Sequence, residues 1–365
     1  MHYAMDSAFI NHFRNLKQVF IYITNECNLS CPQCIYKPDT YFSIGDKQIS
    51  YANTKKLLED FYDIGATKLT LLGGEPTLYK DGTYGISDVI FLAKQIGYKY
   101  VRMDTNGIFP TQLLSEKGFK EIDEISFSID GYDENTNDRI RGNGSFEKAI
   151  NNIKAAVKSG YTVDITCCLY EELLEKTSQG DYRFEQLIFL SEKLGVKRLN
   201  FHPLIKDGSP IDTWSDDLFV SPHHWIEVYK KMCVNIDDGK YCISVRIPQS
   251  FVEKKEFESN PQYYGFCPAK LGERVLIHPN GVIRICSALL CSAYGIADYT
   301  DDKIIWNGRK TNELSDHLLT EFTPCTNRSK KDFDGLLPLC FSFKPRQKEY
   351  VYEHLLNWEG KRDLL

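Results

Sequence analysis

The stretch VFIYITNECNLSCPQC, residues 19–34, joins an apolar run to a loop with cysteines at 27, 31 and 34. The run, rich in β-branched and aromatic residues, reads as a strand. The loop places three thiols within eight positions and offers no fourth nearby. Structural sites built from cysteine close with four protein ligands. An incomplete set directly after a strand describes a metal site with one position left open.

Working outward from this strand, the first 205 residues alternate β-like runs with segments of helical period. VFIYIT (19–24) is followed by KLTLLG (68–73), YVRMDT (100–105), EISFSI (124–129), VDITCCL (163–169) and RLNFHPL (198–204). NTKKLLEDFYDIG offers Asn53 as a cap, Leu57, Leu58 and Phe61 on one face, and Gly65 as a stop. SFEKAINNIKAAVKSG repeats the scheme with Ile150, Ile153 and Val157, closed by Gly160. Repeated strand–helix alternation predicts an α/β fold with a parallel sheet and right-handed crossovers, either an open doubly wound sheet or a partial barrel. In both, the reactive end is the one where the strands finish.

Residues 206–262 change character: the polar, turn-rich KDGSPIDTWSDD, a helical stretch around HHWIEVYKKMCVNI, and a strand-like YCISVRI. They read as a bridging segment between a core domain over 1–205 and a smaller α+β domain over 263–345, with a C-terminal helix over 346–365. In the smaller domain, RVLIHP and VIRIC flank Asn280-Gly281, a tight hairpin signal, and KIIW (303–306) is a further strand candidate.

The formal net charge of -6 argues against a nucleic-acid footprint, which shows as a basic patch. The N-terminus lacks a signal-peptide profile and the apolar runs are strand-sized, so neither export nor a membrane span is expected. The expected location is the cytoplasm. Twelve cysteines in such a protein point to metal binding or catalysis for the clustered ones, since disulfides do not persist in a reducing compartment. Cys167, Cys168, Cys233 and Cys242 read as packing residues. The other eight fall into two groups, 27/31/34 and 267/286/291/325/340.

Thiolates suit iron–sulfur clusters and zinc alike, but zinc sites pair two knuckles and no partner knuckle follows here. The spacing in CNLSCPQC resembles that of the radical S-adenosylmethionine family, and the resemblance extends along the chain. LLGGEP (71–76) is similar to the family's motif after the second strand, MDTNG (103–107) ends the third strand as the family's does, and SFSIDG (126–131) ends the fourth. The resemblance implies a partial (β/α)6 TIM-like barrel. Cys27, Cys31 and Cys34 would hold a [4Fe-4S] cluster whose open iron takes the amino and carboxylate groups of S-adenosylmethionine, and reductive cleavage would give a 5′-deoxyadenosyl radical. Gly73 and Gly74 would let backbone approach the ligand, and Glu75 would contact the methionyl amino group. Thr105, Asn106, Ser128 and Asp130 would offer polar groups to the ribose and carboxylate. Arg141 reads either as a carboxylate holder or as a surface arginine at a helix entry. An external reductant such as flavodoxin or ferredoxin is implied.

CPAKLGERVLIHPNGVIRIC (267–286) is similar to the opening of the SPASM and twitch extensions on a branch of this family. The resemblance implies one auxiliary iron–sulfur cluster drawing on Cys267 and Cys286 with Cys325 and Cys340, and with Cys291 in reserve. The denser later cysteines of a full SPASM pattern are missing. Enzymes with such extensions act on peptides and proteins or on small alcohols. The expected activity is oxidative modification of a peptide or protein, with dehydrogenation or epimerisation of a small polar metabolite as the alternative. Cys168, Tyr170 and His202 lie near strand ends where a substrate would face the radical, and none is assigned as acid or base.

Overall fold

The computed structural model describes residues 4–5, 7–34, 47–204, 218–259, 272–286, 295–300, 303–306 and 335–338. All six expected strands are present: Gln18–Thr24, Lys68–Gly73, Tyr100–Thr105, Glu124–Ser128, Val163–Leu169 and Arg198–Pro203, here the first to sixth. Each pairs in parallel with the next, in the order of the chain. The architecture is the α/β partial barrel.

Helices cover the outer face. Tyr51–Asp63 starts one residue after Ser50, whose side chain accepts from Asn53 N–H; the cap is Ser50, not Asn53. Ser50 is the better cap because its short hydroxyl reaches that donor while its backbone stays extended. Leu57, Leu58 and Phe61 are fully buried, each contributing about 1.5–3 kcal/mol relative to exposure. Ser145–Lys158 buries Ile150 and Ile153 in the same way.

The sheet does not stop at residue 205. Pro222–Asp237 is a helix that sinks Trp225, Val228 and Met232 into the main core. Ser244–Arg246 then pairs in parallel with the sixth strand as a seventh. The segment expected to bridge two domains therefore supplies another helix–strand unit of the barrel.

At the opposite edge, Arg274–Ile277 pairs in parallel with the first strand, Arg274 opposite Gln18 and Ile277 opposite Ile21. Gly281, at φ 86°, turns the expected hairpin into Val282–Arg284. Ala297–Tyr299 and Lys303–Trp306 continue the sheet in antiparallel steps. The hairpin is thus continuous with the barrel sheet. Cys267, Cys291, Cys325 and Cys340, and the C-terminal helix expected over 346–365, lie outside the described residues.

Along the barrel strands, one alternating set of residues is buried beneath the helices and the other faces the interior. In the third strand Val101 and Met103 are fully buried, whereas Arg102 and Asp104 are part-exposed to the lumen. The fifth and sixth strands repeat this, with Thr166, Cys168, Asn200 and His202 on the lumen side. Cys167 is packed as expected, but Cys168 faces inward and Cys242 is exposed.

Candidate active site

The first strand ends at Thr24 and runs directly into the cysteine loop. Cys34 N–H donates to the Cys31 carbonyl at 3.2 Å, closing a turn. Two donors approach the Cys27 sulfur: Leu29 N–H at 3.4 Å and Asn106 Nδ2 at 3.7 Å. Burial pushes the Cys27 thiol up, and those donors work against it. Burial also pushes Cys31 up to about 11, opposed by the nearby Arg141 guanidinium. Among the described residues, no three Cys, His, Asp or Glu side chains converge tightly enough for one metal ion. The donor set itself, three thiols with N–H donors and a cation turned toward them, fits an iron–sulfur cluster, whose charge such groups offset.

Gly73 and Gly74 do something more specific than give a ligand access. Gly74 N–H donates to the Thr24 carbonyl at 2.6 Å and Glu75 N–H to the Glu26 carbonyl at 2.7 Å. A Cβ on Gly74 would lie 2.2 Å from Glu26 O, and one on Gly73 2.6 Å from Thr24 O. The second strand's end is therefore laid against the backbone that leads into the cluster loop.

Glu75 is fully buried, and its carboxylate accepts from Thr77 N–H (3.1 Å), Thr77 Oγ1 (2.7 Å), Thr105 Oγ1 (2.8 Å) and Asn106 N–H (2.7 Å). Burial raises its proton affinity against the pull of these donors. The carboxylate ties the ends of the second and third strands. Asn106 completes that tie, donating to Asn28 Oδ1 at 2.7 Å while Asn28 Nδ2 donates to the Ile108 carbonyl at 2.8 Å.

Asp130 is also fully buried. One oxygen accepts from Cys168 N–H at 2.7 Å; the other accepts from Gln33 Nε2 at 2.6 Å and forms an ion pair with Arg141 Nε at 2.8 Å. It anchors the cluster loop, through Gln33, to the fourth and fifth strands. Arg141 is thereby drawn inward beside Cys31, so the surface reading of this residue does not hold. Ser128 is half-buried at the fourth strand's end. Gln33 Oε1 is buried and makes no hydrogen bond, an acceptor beside the cysteine loop that suits a donor on a bound molecule.

Below this ring the lumen carries charge. Arg102 binds Asp104 (2.6 Å) and Glu124 (2.9 Å), and Arg198 binds Glu124 (2.6 Å) and Asp164. His202 stands between this network and Asp130; burial, then Arg102, lowers its imidazole to about 4, so it is neutral near pH 7. The sequence reading missed Gln33, Asn28 and Thr77, and the whole charged network. Its signal was available: charges at every second position of otherwise apolar strands, as in YVRMDT.

Residues 21–177 match the family model described as the Radical SAM superfamily. The chain carries a radical SAM superfamily domain. Members of this superfamily use a [4Fe-4S] cluster and S-adenosylmethionine, and the matched residues include the ring just described. Over 155 residues the chain is 31% identical to a GTP 3′,8-cyclase of Vibrio parahaemolyticus, covering 41% of this chain and 45% of that protein. The match thus spans less than half the length of that curated relative. Native anSMEcpe with bound AdoMet has a similar fold, with a TM-score of 0.58 at 14% identity over 95% of this chain and 97% of that one. SuiB from Streptococcus suis gives 0.56 at 17% identity, over 84% and 66%. No helix among the described residues is long and apolar enough to cross a membrane.

Proposed function

We propose that this chain is a radical S-adenosylmethionine oxidoreductase that removes hydrogen from a substrate held in the barrel lumen. The observation that carries the reading is the convergence of four strand ends on one cysteine loop: Gly74 and Glu75 from the second, Asn106 from the third, Asp130 past the fourth and Cys168 in the fifth. When bound, the reduced cluster and S-adenosylmethionine supply a 5′-deoxyadenosyl radical. The chain's own residues bind and orient. Cys27, Cys31 and Cys34 would hold the iron, with Asn106 Nδ2 and Leu29 N–H supporting the Cys27 sulfur. Arg141 and Ser128 offer a cation and a hydroxyl to the methionyl and ribose groups. Glu75 and Asp130 keep these elements in register through their carboxylates.

A peptide or protein substrate is supported by the likeness in fold to anSMEcpe, which has been solved with a bound peptide, and to SuiB, solved with the precursor peptide SuiA. A second reading, a small polar metabolite, is favoured by the charged lumen and by sequence kinship with enzymes that act on GTP. An auxiliary cluster involving Cys286 would accept the substrate's second electron in either oxidation.

The test is anaerobic incubation of iron-loaded protein with S-adenosylmethionine and dithionite. Formation of 5′-deoxyadenosine that falls at least about a hundredfold in Cys31→Ala is expected, the scale on which loss of an essential group acts. No 5′-deoxyadenosine from iron-loaded wild type, or an unchanged rate in the variant, overturns the reading.

A further inference from the structure

Three guanidinium groups meet inside the lumen, and two of them are matched. Arg102 and Arg198 share Asp104, Glu124 and Asp164 as partners. Arg246, from the seventh strand, joins the same group: its electrostatic neighbours are Arg198, Asp164, Glu124 and Arg102. Its Nε is buried and makes no hydrogen bond. The register places Arg246 beside Asn200 on the lumen face of the sheet. We propose that Arg246 is the docking point for an anionic group of the substrate, a phosphate or a carboxylate.

The electrostatics run in the same direction. Burial and the neighbouring Arg198 loosen the Arg246 proton, lowering it to about 10, the mark of a cation short of counter-charge. The facing acids do not relieve it. Asp104 and Glu124 are taken by Arg102 and Arg198, and Asp164, crowded by Glu124 and buried, is pushed toward its neutral form. A guanidinium with an unused Nε–H donor matches an oxyanion by a charge-assisted hydrogen bond.

Position then limits what the rest of the molecule can be. His202 follows Asn200 by two residues and stands opposite Cys168. Two residues along a strand are about 7 Å. A substrate anchored at Arg246 therefore extends past His202 and Cys168 toward the cysteine loop, bringing its opposite end to the ring of strand ends. This inference rests on the lumen being the substrate chamber of a radical enzyme, as proposed above.

The test measures anion binding to iron-loaded protein by calorimetry, with inorganic phosphate and N-acetylglycine as separate probes. Wild type is expected to bind one of them better, which distinguishes a phosphorylated from a carboxylated substrate. Arg246→Gln is expected to weaken that binding about tenfold or more, as for a lost charge-assisted hydrogen bond. Arg246→Lys, which keeps the charge, should fall between, and guards against misfolding of the Gln variant. Equal affinity in wild type and Arg246→Gln, or binding of neither probe to wild type, overturns the proposal. Because 5′-deoxyadenosine formation is read separately, a protein that makes it but binds anions independently of Arg246 fails this inference alone. One that makes none fails the radical reading.

Discussion

Asp164 is 1% exposed and lies against Arg198, yet Glu124 competes for the same guanidinium. Two buried carboxylates this close cannot both ionise cheaply, so a proton is held between them. Burial and repulsion push Asp164 up to about 8, while Arg102 and Arg198 pull Glu124 down. The folded protein therefore keeps a proton that the unfolded chain releases in the ordinary carboxylate range. Folding stability contributed by this group falls as pH rises through that interval and levels off above about 8. Asp164→Asn imitates the protonated acid and removes the dependence. Urea unfolding should show the variant gaining on wild type progressively from about pH 5 to 8, with a constant lead above. Parallel stability curves for the two proteins would mean that Asp164 is ionised throughout.

At the scale of elements, the cluster loop is positioned by backbone fitted against backbone. Gly74 has no room for a Cβ, because Glu26 O would lie 2.2 Å from it, and its own N–H is bonded to Thr24 O. Gly74→Ala must displace the 25–26 segment, and with it the approach to Cys27. The contact lies at the carboxyl end of the ladder between the first two strands, where Gly73 pairs with Thr24, so the global cost is that of local overpacking, about 1–3 kcal/mol. The expected outcome is a folded protein by circular dichroism that retains less than about half the iron of wild type after reconstitution. Full iron with normal S-adenosylmethionine cleavage would show that the loop does not depend on this fit. The six strands, the hairpin and KIIW were legible because each carries its own local pattern, and HHWIEVYKKMCVNI and YCISVRI were legible as helix and strand. Their partners were not legible. The pairing of Ser244 with Arg198, or of Arg274 with Gln18, joins residues far apart in the chain, and the local pattern is the same whichever strand lies alongside. That is why a segment read as a bridge proved to be barrel.

At the scale of the whole molecule, the cysteine loop and Cys286 lie at opposite ends of the first strand. Cys27, Cys31 and Cys34 follow the carboxyl end of the first strand, where motif spacing made them readable. The Arg274–Ile277 strand runs beside the first in the same direction; after the turn at Gly281, Val282–Arg284 runs back, with Arg284 opposite Leu276. Cys286 is consequently returned to the level of Gln18, where it is buried and takes a contact from Arg274 Nη2 at 3.5 Å. Six residues of strand separate Gln18 from Thr24, about 20 Å. If Cys286 ligates the auxiliary cluster proposed above, a second iron group would sit toward the amino end of the first strand. Two such groups should load independently. Anaerobically reconstituted wild type is expected to hold about eight irons, falling to about four in Cys27→Ala/Cys31→Ala/Cys34→Ala and to about four in Cys286→Ala. Mössbauer and sulfide analysis would check this. The two variants should differ in chemistry: the triple variant loses 5′-deoxyadenosine formation, while Cys286→Ala keeps it and loses net oxidation of substrate. Four irons in wild type and none in the triple variant would remove the second electron acceptor. Redox-neutral chemistry on a small polar molecule would then become the better account of this lumen.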